Sequence, residues 1–296
     1  MNQPAMPSPF SLDNPAGYRA WRARKLADYP RSIEALRVPI RRLAEPNRTE
    51  VAALLERLAK CNMALVDCGD PAQIRPDALL QLGKRLGLRH TDHHLCADAH
   101  AVSTIRVEAA GRASALIPYT NRPLNWHTDG YYNPPERAVC AWMLFCRQDA
   151  ARGGENALLD PEIAYLRLRD QDPELIQALL HPQTLGVPGN AEAGPDRRET
   201  TFGPVFAWPQ GALEMRYTAR ARHVIWHSSP AVAAAREALT RLFSGNEDFI
   251  YRHKLRPGEG YISNNVLHNR SGFQATDPSV PGRTLLRVRY LERIDG

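Results

Sequence analysis

Apolar positions in the first third of the chain repeat mostly at helical spacing. In TEVAALLERLAKCN they recur from Val51 to Leu58 on one face, which predicts an amphipathic helix. GYRAWRARKLADYP predicts a shorter helix before it, MALVDCG a strand after it, and IRPDALLQLGKRLGL a further helix begun near Pro76 and Asp77. Alone, this alternation suits a parallel α/β protein, but no glycine fingerprint for a nucleotide stands at the strand-to-helix turn. The middle of the chain changes character. HAVSTIRVEA and RAVCAWMLFCR read as strands, the second apolar enough to be buried on both faces. In DPEIAYLRLRD, Asp160 is placed to cap a helix whose first position is Pro161, and DPELIQALLHP repeats the device. PVFAWPQGALEMRYTARAR predicts two strands around the PQG turn, and SPAVAAAREALTRLFSG a surface helix ending near Gly245. GYISNNVLHNRSGF and GRTLLRVRYLERI predict further strands, so the pattern points to a largely antiparallel sheet core decorated by helices, with no domain linker.

Composition narrows this only a little. The 296 residues, 43% hydrophobic and 24% charged, suit an ordinary globular protein, and 24 prolines with 19 glycines favour turns over long helices. The excess of 38 Lys and Arg over 32 acidic residues is compatible with nucleic acid or with small anions. No basic recognition helix or basic-aromatic stripe accompanies it, so a nucleic-acid partner is not favoured. Five cysteines, Cys61, Cys68, Cys96, Cys140 and Cys146, are odd in number and lack CxxC spacing, which points to a reducing compartment. The first residues lack a basic segment followed by an apolar run, and no window reaches transmembrane length; a cytoplasmic location without membrane contact is the expectation.

Candidate chemistry centres on WHTDGYYNPPE. If this stretch is extended, His127 and Asp129 lie on one strand face, though an HxD pair alone is more often a structural hydrogen-bonded pair. His268, in NNVLHNRSGF, follows another strand-like run and completes a two-histidine, one-carboxylate set, the facial triad typical of non-haem Fe(II) with three positions left open. The same donors also suit a zinc-dependent hydrolase, and the positive charge a non-catalytic binding module. In RTLLRVRY, Arg283, Arg287 and Arg289 share one face, which reads as the wetter one, while Leu286, Val288 and Tyr290 pack the other. Trp126 alternates away from His127 toward a core.

Taken together, WHTD with YYNPPE, GGENALLD, RPGEGYISNNVLHNRSGF and GRTLLRVRYLERI resemble the TauD/TfdA family of Fe(II)- and 2-oxoglutarate-dependent dioxygenases, over roughly Tyr119 to Ile294. The resemblance implies a mainly β fold with peripheral helices and a double-stranded β-helix (jelly-roll) core. It is read as one catalytic domain over 1–296, with a helix-rich portion 1–100 packed on a core 101–296. It also implies that His127, Asp129 and His268 hold Fe(II), and that Arg287 grips the distal carboxylate of 2-oxoglutarate, with Arg283 at the preceding family arginine. Asn156 stands where the family commonly carries threonine beside that cosubstrate. Tyr131, Arg216 and Arg270 are the candidate substrate contacts, Arg270 either facing the mouth of the pocket or simply bracing its loop. The cluster EMRYTARARHVIWH, with Arg216, Tyr217, Arg220 and Arg222, is either an anion-binding wall or a solvated basic face. The implied reaction hydroxylates an unactivated C–H bond of a small polar or anionic substrate with O2, releasing succinate and CO2; a homo-oligomer is compatible with it.

Overall fold

Ten strands in two sheets position the site: β1 (Arg37–Pro39), β2 (Met63–Asp67), β3 (Val102–Ile105), β4 (Leu124–His127), β5 (Ala141–Gln148), β6 (Asn156–Leu159), β7 (Tyr251–His253), β8 (Glu259–Ser263), β9 (Leu267–Arg270) and β10 (Thr284–Tyr290). The computed structural model describes residues 8–93, 101–189, 198–220, 222, 224–245, 248–274 and 282–295. The larger sheet has the order β1-β2-β8-β5-β10-β3 and the smaller one β7-β6-β9-β4. All pairs are antiparallel except β1 with β2. The region before residue 100 therefore supplies two strands of the main sheet as well as helices.

Alternation along the larger sheet sorts its side chains into two cores. Leu65, Trp142, Leu144, Tyr261 and Leu285 turn toward the smaller sheet and pack with its Trp126, Leu159 and Leu267. Val66, Met143, Phe145, Ile262, Leu286 and Val288 face the other way, onto Leu54 and Leu58 of α2 (Arg48–Cys61) and Leu79 and Leu82 of α3 (Pro76–Arg85). Being covered on both sides explains the unbroken apolar run of β5.

The helices begin where the sequence places them. Asn47 and Glu50 form a reciprocal capping box at α2. Asp160 accepts from Glu162 N ahead of α4 (Pro161–Gln171), and Asp172 does the same ahead of α5 (Pro173–Leu179). Asp160 also receives Lys25 Nζ at 2.7 Å, tying α1 (Pro15–Leu26) to this layer through a buried ion pair. Phe243 of α6 (Pro230–Ser244) stacks on Trp126 at 5.3 Å, so Trp126 faces the core as its parity requires. The four described cysteines are free thiols, and Cys96 lies outside the described residues. Among the described residues no helix is long and apolar enough to cross a membrane.

Candidate metal centre

In the smaller sheet His268 of β9 sits directly opposite His127 of β4. Cross-strand partners of this kind project to the same face, and the two ring centroids are 4.2 Å apart. Each imidazole is oriented by a main-chain carbonyl: His127 Nδ1 lies 2.8 Å from Asn125 O, and His268 Nδ1 3.0 Å from Val266 O. With Nδ1–H donating to these oxygens, the Nε2 lone pairs face the shared space, the arrangement of a metal-ligating histidine. Asp129 Oδ1 stands 3.6 Å from His127 Nε2 and 3.9 Å from His268 Nε2. Among the described residues this is the one group of three or more potential ligands, its donor atoms all within 4.8 Å of one another.

Asp129 reaches this position by a route that strand alternation does not describe. β4 ends at His127, so the expected extended WHTDG segment stops short, and Asp129 lies in the turn that follows. Gly130 holds φ +68°, and a Cβ there would come within 2.5 Å of Val139 Cγ2. Asn265, itself left-handed at φ 49°, staples the turn. Its Oδ1 accepts from Asp129 N at 2.8 Å, while its Nδ2 donates to Asp129 O at 3.0 Å and Val139 O at 2.6 Å. The sequence reading passed over Asn265, whose only signal is its place in NNVLH, three residues before His268.

Charge in the site is balanced for a cation. Burial, with His127 beside it, pushes the His268 imidazole down to about 3, so it is neutral at ordinary pH. Burial alone would raise the Asp129 carboxyl, but Arg287 and then His127 outweigh it and hold the group well below the usual carboxylate range. Arg287 Nη1 lies 3.2 Å from Asp129 Oδ2, an oxygen that is buried without a hydrogen bond. Two oriented imidazoles and one ionised carboxylate fit the facial set of a non-haem Fe(II) centre.

A narrow chamber of about 40 Å³ leads off from the triad, lined by His268, Asn156, Arg270, Arg283 and Arg287 among others. Arg283 is 8% exposed and lies 5.0 Å over the Phe273 ring, with no acid or hydrogen-bond acceptor paired to it among the described residues. Burial depresses it to about 10, the signature of a guanidinium lacking a counterion. Asn156 Nδ2 donates to Asn269 O at 3.0 Å, leaving its buried Oδ1 without a partner.

Two expected substrate contacts are engaged elsewhere. Arg270 donates to the carbonyls of Pro118, Thr120 and Arg122, bracing that segment from inside the chamber instead of facing its mouth. Arg216 donates to Leu185 O and to Thr201 O and Oγ1, clipping two short strands together, and is not among the residues lining the cavity over His127. The sequence displayed their charge but not the carbonyls waiting for it.

That second cavity, of about 400 Å³, is lined by His127, Asp129, Tyr131 and four arginines, Arg220, Arg222, Arg287 and Arg289. The Tyr131 ring sits 6.4 Å from that of His127. Arg287 and Arg289 share a face as expected, but it is the interior face of β10 and not a wet one: Arg289 is 2% exposed, paired with the buried Asp92, and donates to Tyr132 at 2.9 Å.

The family model described as "Taurine catabolism dioxygenase TauD, TfdA family" matches residues 23–289. The chain belongs to the TauD/TfdA family. Its double-stranded β-helix fold is shared with an iron oxygenase, OrfP, solved with Fe and alpha-ketoglutaric acid (TM-score 0.63, 18% identity, 84% of this chain and 81% of that one). It is also shared with an asparagine oxygenase solved with Fe(II), 3-hydroxyasparagine and succinate (TM-score 0.59, 15% identity, 86% and 93%). Among curated proteins, a uridine-5'-phosphate dioxygenase from Amycolatopsis sp is 30% identical over 56% of this chain and 60% of its own length. One from Streptomyces sp is 32% identical over 61% and 66%. The chain thus matches somewhat under two thirds of these relatives. Among the described residues of this TauD/TfdA chain, the three donors of a facial triad, His127, Asp129 and His268, are all present.

Proposed function

We propose that this chain is an Fe(II)- and 2-oxoglutarate-dependent dioxygenase that hydroxylates a C–H bond of a small anionic substrate. The observation that carries this reading is the buried Arg283 guanidinium, without an acid partner among the described residues, at a chamber that opens from the His127–Asp129–His268 triad. When bound, Fe(II) with 2-oxoglutarate supplies the oxidising power that couples O2 to C–H hydroxylation, with release of succinate and CO2. In this reading His127, Asp129 and His268 hold the metal. Arg283 would take the distal carboxylate of the cosubstrate by a charge-assisted pair, and Asn156, which also lines the chamber, has a second amide hydrogen to offer it. Arg287, to which the family resemblance assigns that role, is paired with the metal-ligand candidate Asp129, which favours Arg283 for the distal carboxylate. In this reading it lines the substrate cavity, as Tyr131 does.

An anionic substrate is supported by the cavity lining, where four arginines meet one acid, the metal ligand Asp129. The two relatives from Amycolatopsis and Streptomyces carry uridine 5'-phosphate in their names, which makes a nucleoside monophosphate the first compound to try. Free thiols at the four described cysteines accord with a cytoplasmic location. The test is oxygen-dependent succinate formation with Fe(II) and 2-oxoglutarate across nucleotides, sulfonates and amino acids. At least one anionic compound should stimulate it and be recovered oxidised, and succinate formation that depends on neither iron nor 2-oxoglutarate would contradict the reading.

A further inference from the structure

The segment carrying Arg220 is fastened to the metal-binding strand. Thr218 bridges His127, Thr128 N donates to Tyr217 O at 3.0 Å, and Ala219 N donates to Trp126 O at 2.8 Å. Arg220 lies two residues beyond the bridge and Arg222 four beyond it, and both line the cavity over the triad. The arginines of this cavity differ in how they are neutralised. Arg289 has Asp92, and Arg287 has Asp129. Among the described residues the exposed Arg220 donates only to the Tyr131 hydroxyl, at 3.3 Å, and the exposed Arg222 has no acid or hydrogen-bond partner.

We propose that Arg220 and Arg222, with the Tyr131 hydroxyl, form a phosphate subsite in the substrate cavity and make the enzyme select a phosphorylated substrate over its unphosphorylated form. This rests on the dioxygenase reading given above. Two guanidinium forks and a hydroxyl offer more donors than a single carboxylate can use, whereas a phosphate dianion presents three oxygens to them. Size agrees. About 400 Å³ is room for a substrate of nucleotide scale, and a sulfonate of a few atoms would leave most of it to water. Leu116, Ile117, Pro118 and Leu124 also line the cavity and give it apolar surface suited to the uncharged body of such a molecule. Tyr131 joins the subsite to the metal, since its ring packs beside His127 while its hydroxyl meets Arg220.

The experiment titrates uridine 5'-phosphate, uridine and inorganic phosphate into wild-type protein and into the Arg220→Ala/Arg222→Ala double variant, each loaded anaerobically with Fe(II) and 2-oxoglutarate. Wild type should bind inorganic phosphate saturably, and should bind uridine 5'-phosphate at least about tenfold more tightly than uridine, in keeping with charge-assisted contacts. In the double variant phosphate binding should disappear and that preference should shrink to about twofold, while the affinities for iron and 2-oxoglutarate stay as in wild type. A variant that keeps the wild-type preference, or a wild type that binds no phosphate, overturns the subsite. Failure of iron or 2-oxoglutarate to load would instead count against the dioxygenase reading, and the phosphate titrations in metal-free protein would still decide the subsite.

Discussion

Arg283 and Arg287 are four residues apart and differ in their partners: Arg287 contacts Asp129, whereas Arg283 lines the chamber and is paired with no acid among the described residues. Charged hydrogen bonds of this kind are worth about 1.5–3 kcal/mol each, so Arg283→Ala should weaken 2-oxoglutarate binding by roughly 10- to 100-fold while leaving iron affinity intact. Arg283→Lys should recover part of the loss. Titration of 2-oxoglutarate into the iron-loaded variants reads this directly, and an unchanged affinity in Arg283→Ala would return the role to Arg287. At this scale the sequence was legible where chemistry resides in residue type: His127, Asp129 and His268 are recognisable by kind and order. It was opaque where a role depends on a distant partner. Nothing near Arg289 announces Asp92, 197 positions away, and nothing near Arg270 announces the carbonyls that occupy it.

The turn after β4 shows how an element end can be tuned by one side chain from another strand. Asn265 combines a left-handed backbone with three hydrogen bonds to Asp129 and Val139. Asn265→Gly keeps the backbone conformation accessible and removes only the staple. It should lower iron affinity by about 10- to 100-fold, the usual effect of losing a group that orients a ligand. Asn265→Ala adds the cost of left-handed backbone and should melt at a lower temperature than Asn265→Gly. Metal titration with thermal melts of both variants checks the pair; wild-type iron affinity in Asn265→Gly would show that Asp129 is held without it. Helix starts were plain from Asp160, Pro161 and their repeat at Asp172 and Pro173, because capping is local chemistry. Strand ends were not, since β4 stops at His127 for reasons that lie in Gly130, Asn265 and Val139.

Across the whole molecule, strand order was the least legible feature. β8 pairs with β2 on one side and β5 on the other, partners that lie far off along the chain. Part of this sheet's edge is held by Glu259. Burial alone would raise its carboxyl, but His253, Arg256 and Arg37 outweigh that and hold it well below its ordinary 4.5. A depressed carboxylate contributes stability that is complete above 4.5 and drains away as pH falls toward the folded-state value. Urea unfolding should therefore show stability declining below about pH 4.5, and Glu259→Gln should be less stable at pH 7 with a flatter decline in acid. A variant as acid-sensitive as wild type would assign the loss to other carboxylates. The function joins both sheets, the two histidines coming from the smaller one, Asp129 from the turn after β4, and Arg283 and Arg287 from beside and within β10 of the larger. The direct test is anaerobic addition of Fe(II) and 2-oxoglutarate to the folded protein. A weak visible charge-transfer band should appear, vanish in His127→Ala and His268→Ala, and need more 2-oxoglutarate in Arg283→Ala. No band in folded wild type, or a band that survives loss of either histidine, would contradict the assignment of this site to iron and 2-oxoglutarate.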